Sequence, residues 1–139
     1  MREAPFAAPT PPGPGQTLIY VLREDSAFGA ARKLAIIDND TVMAVLTPGS
    51  FSYFTVPTGE HEIVGYLSPS PVMHYRVMLA HGSTVYLLCR MGYASGMFME
   101  VMDEATAQPL LARFTYTEIG IKNAKAKMDY KAYYDNLYK

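Results

Sequence analysis

From Thr17 to Met102 the sequence repeats one unit, a short apolar or β-branched run followed by a turn signal. The runs are Thr17 to Arg23, Leu34 to Ile37, Thr41 to Leu46, Phe51 to Val56, His61 to Tyr66, Met73 to Leu79, Thr84 to Met91 and Met97 to Met102. Between them stand Asp38-Asn39-Asp40, Thr47-Pro48-Gly49-Ser50, Pro57-Thr58-Gly59-Glu60, Ser68-Pro69-Ser70-Pro71, His81-Gly82-Ser83 and a loop bounded by Gly92 and Gly96. Proline presets φ and glycine supplies φ > 0, so each of these interrupts a strand for a physical reason. About eight short strands at this spacing are the signature of an antiparallel sandwich or barrel. No helical segment separates them, as parallel βαβ units would require. The expected fold is therefore all-β: an antiparallel β-sandwich of about eight strands, completed by a C-terminal amphipathic α-helix.

The flanks differ from this middle. Residues 1–16 read as a Pro/Gly-rich spacer, with Thr10 to Gly15 offering almost nothing to pack. Residues 17–114 read as the sandwich domain, ending in a short helix over Ala105 to Phe114 with Pro109 in its first turn. Residues 115–139 turn to Lys, Ala and Tyr, and Ile121, Ala124, Met128 and Ala132 recur at helical steps, which predicts a helix from Ile119 or Ile121 to Leu137. Tyr130, Tyr133, Tyr134 and Tyr138 are more rings than one helix face buries on a small sandwich. They either pack on their own sheet with hydroxyls at the rim, or form, with Leu137, a contact surface for a protein partner.

Composition bounds the rest. A chain of 139 residues, half of them apolar, buries a core without metal or disulfides. Twelve basic and 13 acidic residues give a net charge of −1, so no field draws in nucleic acid or an acidic membrane. Cys89 is the sole cysteine, within the apolar run Val85 to Cys89, and reads as core filler. No apolar run reaches the length of a membrane helix. Met1 to Pro5 does not open a signal peptide, because Glu3 follows at once and no apolar stretch succeeds it.

Chemistry is sparse. His61, His74 and His81 show no metal-ligand spacing, and no Gly-x-Ser-x-Gly elbow or phosphate-cradling glycine motif is present. Glu60 and Glu62 share a strand face opposite His61 and read as a solvated face rather than an acid/base pair. Nine methionines are the compositional oddity, and Met91, Met97, Met99 and Met102 gather around one loop. Thioethers bind Cu(I), so Met91, Met97 and Met99 are the candidate soft-metal ligands, against the alternative of adaptable core filler. No cofactor is expected, and no nucleophile, base and orienting group can be named together.

The ordered landmarks resemble a family of small bacterial envelope lipoproteins without an assigned activity. Pro11 to Gln16 leads into Thr17 to Arg23 with its Tyr-x-x-Arg ending, then come Ile36 to Asp40, Val42 to Leu46, Pro48 to Phe51, the Val56-Pro57-Thr58-Gly59-Glu60-His61 corner, His81 to Leu87, and Val101 to Thr106. The resemblance spans roughly residues 11–114. The Pro-Thr-Gly-Glu-His corner is also similar to small surface-associated β-domains with a Pro-Gly-x-His turn. Likeness to the lipoproteins implies an acylated cysteine upstream of the spacer, with Ala7 to Gln16 extending on the order of 30 Å as polyproline II. It implies a periplasmic address at the inner face of an outer membrane if a signal and lipidated cysteine have been removed, and a cytoplasmic one if Met1 is the native start. The expected function is non-catalytic: a docking or structural subunit of an envelope assembly, binding a protein through sandwich edges or the C-terminal helix. The alternative is a small-ligand or copper-binding periplasmic domain.

Overall fold

The structure, a computed structural model, describes residues 2–3, 9, 12–26, 33–38, 41–67, 72–79, 84–92 and 96–118. In chain order these form β1 (Arg2–Glu3), β2 (Gln16–Arg23), β3 (Leu34–Asp38), β4 (Thr41–Leu46), β5 (Ser50–Pro57), β6 (Gly59–Leu67), β7 (Val72–Leu79), β8 (Thr84–Gly92), β9 (Gly96–Met102), α1 (Glu104–Arg113) and β10 (Thr115–Glu118). One sheet has the order β1-β10-β5-β2-β8-β9 and the other β4-β3-β6-β7. The eight strands read from the sequence are β2 to β9, and the all-β sandwich with a helix following it is the observed class.

The interior explains why β2 is apolar without alternation. Ile19 and Val21 join Leu34, Ile36, Ala44, Leu46, Phe54, Val56, Ile63, Leu67, Leu87, Cys89 and Met99 in the core between the sheets. Leu18, Tyr20 and Leu22 face the other way and join Phe51, Tyr86, Leu88, Met102 and Ala107 beneath α1. A strand covered on both faces needs apolar residues at every position, as strands of buried sheets do. The outer layer carries a cross-strand row of rings. Tyr20 stacks on Tyr86 at 5.1 Å and Tyr53 on Tyr116 at 5.6 Å, with Tyr20 and Tyr53 5.7 Å apart.

Three details depart from the sequence-based expectation. The pairings β2–β8 and β10–β5 are parallel, the other described pairings antiparallel. The sheet also does not end at residue 114: Thr115 and Tyr116 pair with Ser50 and Phe51, so the β-domain runs on through β10. And Pro109 lies inside α1, not in its first turn, because Asp103 caps the helix earlier, its carboxylate accepting the Thr106 N–H at 2.7 Å. Pro109 and Ala105 both lie on the exposed side of α1, where solvent serves the carbonyl that proline leaves unbonded. The helix foreseen from residue 119 or 121 to 137 lies outside the described residues, as do His81 and the Asn39-Asp40 pair.

Of the four connections that carry the chain from one sheet to the other, those from β4 to β5 and from β5 to β6 are tight corners, each fixed by turn chemistry and a buried polar side chain. Between β4 and β5, Gly49 adopts φ 69°, the Ser50 N–H donates to the Thr47 carbonyl at 3.1 Å, and the Ser50 hydroxyl donates to the same oxygen at 2.7 Å. Here Arg23, fully buried, reaches from β2 in one sheet to the Leu46 carbonyl of β4 in the other, at 2.9 Å. Between β5 and β6, Gly59 takes φ 129° and His61 supplies the lock described below.

Candidate functional site

The end of the six-stranded sheet at β9 concentrates the exposed apolar surface. Among the described residues the exposed large hydrophobics are Phe98, at 38%, and Val101, at 51%, both on this terminal strand. Met99 and Met102 of the same strand are buried, one in each core layer. β9 therefore supplies apolar side chains inward on both layers and still leaves two in solvent. Among the described strands its ladder partner is β8, from Tyr86↔Met102 to Gly92↔Gly96, and β7 of the other sheet lies close against it. On the outer face Arg90 of β8 ties the strand down. Its Nε donates to Glu100 at 2.6 Å and its Nη1 to Glu24 at 3.1 Å. The Glu100 hydrogen bond, offset in part by desolvation, raises the Arg90 pKa above its ordinary value. All three side chains are partly exposed, so this network orients more than it stabilises.

His61 is buried and serves structure. Its Nδ1 lies 3.0 and 3.1 Å from the two carboxylate oxygens of Asp38, and its Nε2 lies 2.7 Å from the Pro57 carbonyl. Both ring nitrogens face acceptors, so both must carry hydrogens, and the ring binds as imidazolium. Burial alone would lower its pKa, but the Asp38 hydrogen bond, the Pro57 hydrogen bond and the Asp38 charge together raise it. A ring with no free lone pair is no general base. It is a three-way tie among β3, β5 and β6 at the sheet-switching corner. Glu60 is exposed and Glu62 half-buried, with His61 on the opposite face of β6, as alternation required.

The candidate soft-metal ligands and Cys89 fall on one hairpin. Register sets Met91 opposite Met97 and Cys89 opposite Met99 across β8 and β9. Met99 lies 8% exposed in the inter-sheet core, where its side chain packs as filler. Cys89 is fully buried, and burial pushes its thiol up to about 12, leaving a neutral group and neither a nucleophile nor a thiolate ligand. Among the described residues no group of three or more His, Cys, Asp or Glu is placed to hold a metal. The side chains of Met91 and Met97 are not described. The candidate contact residues Tyr130, Tyr133, Tyr134, Leu137 and Tyr138 lie outside the described residues.

Phe98, Val101 and the Asp38–His61 pair were not singled out by sequence reasoning. The run Met97-Phe98-Met99-Glu100-Val101-Met102 did carry the signal. It is apolar at five of six positions, without the polar alternation of a strand that has one face in solvent. The Asp38–His61 contact had no such signal, being 23 residues apart in sequence.

No described helix is long and apolar enough to cross a membrane. No protein-family model matches the sequence, and no curated protein matches it. Among solved structures the chain is similar to the N-terminal domain of AlgF from P. aeruginosa, with 14% identity, a TM-score of 0.44, and coverage of 66% of this chain and 99% of that one.

Proposed function

We propose that this protein is a non-catalytic docking domain of a bacterial envelope assembly, and that it engages its protein partner at the β9 edge. The observation that carries the reading is the pairing of a terminal strand with the exposed side chains of Phe98 and Val101. A strand at a sheet edge offers unpaired main-chain groups to an incoming strand, and exposed apolar side chains on it give that partner specificity. The envelope address rests on the lipoprotein-like order of the sequence landmarks. In the same reading the Lys/Tyr tail, with Tyr130, Tyr133, Tyr134, Leu137 and Tyr138, adds anchors to the contact.

The test is affinity capture from native membranes with three baits: the full chain, the Phe98→Lys/Val101→Lys variant, and the chain without residues 119–139. Val101 is half exposed and Phe98 38% exposed, so circular dichroism and the thermal midpoint of the β9 variant are measured first to show that it keeps the parent fold. A stoichiometric partner lost with the β9 substitutions supports edge docking. Equal recovery from the full chain and the β9 variant overturns it, and loss only on removing the tail moves the contact to the C-terminus.

A further inference from the structure

A half-open cavity of about 250 Å³ lies under the C-terminal end of α1, above β8 and the end of β2. Its apolar wall is Leu88, Leu110 and Phe114. Its charged lining is of two kinds. Arg90 and Glu24 satisfy each other at 3.1 Å, and Arg90 also holds Glu100. Arg113 and Asp25 are different: both line the cavity, both are exposed, and neither forms an ion pair with a described residue or with the other. The Arg113 guanidinium instead sits 5.6 Å over the Phe114 ring, which fixes it beside the apolar wall. On the other side Asp25 backs against Gly49, where an added Cβ would meet its Cβ and Cγ at 3.4 Å.

The cavity thus brings together a cation and a carboxylate that form no ion pair among the described residues, and an apolar wall. At about 30 Å³ for each water of the liquid, it has room for a molecule of several heavy atoms. We propose that it binds a free α-amino acid with an apolar side chain. The ligand carboxylate pairs with Arg113, whose planar fork suits it. The ligand ammonium pairs with Asp25, and the side chain lies on Leu88, Leu110 and Phe114. A simple carboxylate would leave Asp25 facing its own negative charge, and a simple amine would face Arg113. Only a zwitterion answers both. The proposal does not rest on the β9 edge, because the two residues that pair with the ligand, Asp25 and Arg113, lie after β2 and in α1.

Calorimetric titration of the full chain with L-leucine, hexanoate and hexylamine tests this, alongside Arg113→Gln and Asp25→Asn. The expected result is saturable binding of L-leucine, with each variant and each single-charge probe weaker by about tenfold or more. Circular dichroism and the thermal midpoint check that both variants keep the parent fold. Absence of saturable heat with L-leucine at millimolar concentration overturns the proposal. So does hexanoate binding as tightly as L-leucine, or unchanged leucine binding by both variants.

Discussion

At the scale of single residues, His61 makes the sandwich sensitive to pH in a definite direction. Its folded-state pKa lies above the ordinary 6.5, because two hydrogen bonds and the Asp38 charge outweigh burial. A group raised in the folded state contributes its full stabilisation below its unfolded value and loses it as pH climbs through the folded one. Thermal midpoints should therefore be highest, for this contribution, below pH 6.5 and fall on the alkaline side. His61→Asn should flatten that slope, and an identical pH profile in the variant would show that another group sets it. Asp38→Ala leaves a buried ring without its carboxylate, which costs on the order of 3 kcal/mol, measurable by urea denaturation. Cys89 shows the contrast. Its position in an apolar run was enough to identify it as filler, because a residue's burial within a strand is local information. The His61 tie was not legible, because it joins three strands that only the folded chain brings together.

At the scale of elements, the legible features were those written in contiguous residues. Pro48-Gly49 announced its turn because only a left-handed glycine follows such a proline cheaply, and φ at Gly49 is 69°. The unbroken apolar run of β2 announced a strand covered on both sides. What covers its outer face could not be read, since α1 is a weakly patterned helix that buries only Ala107 fully and lets Leu110, Leu111 and Phe114 pack at its margin. The parallel pairing of β2 with β8 was also illegible, as alternation fixes faces and says nothing of neighbours. Ala107 is the fully buried residue of α1, with no exposed surface at all, in the layer that holds Leu18, Tyr20 and Leu88. A larger side chain there must lift the helix. Ala107→Leu should destabilise by about 1–3 kcal/mol, and disturb the Tyr20–Tyr86 stack as read by near-ultraviolet circular dichroism. A neutral effect on both would mean that α1 rides loosely on the tyrosine layer.

At the scale of the whole molecule, the last described strand joins the first. β10 inserts between β1 and β5, so both ends of the described chain complete one sheet that neither would complete alone. The sequence placed the end of the β-domain at residue 114 because Lys and Tyr enter the composition soon after, and four residues are too few to show a period. The contacts of those four are nevertheless specific. Tyr116 packs on Phe51 and Tyr53, at 5.6 Å from each, and the buried Thr117 hydroxyl lies 3.4 Å from the Val45 carbonyl, in the other sheet. Two truncations separate the readings: a chain ending at Phe114 and one ending at Glu118. The shorter chain loses the ring contacts, each worth about 0.5–1.5 kcal/mol, and uncovers the flank of β5. With the lost apolar burial its stability should fall below that of the longer chain by on the order of 3 kcal/mol. Urea denaturation of both measures the difference directly. Equal midpoints would mean that the sandwich closes at β5, whereas the predicted gap makes β10 the strand that seals it and sets residue 118 as the earliest point at which a tail can begin.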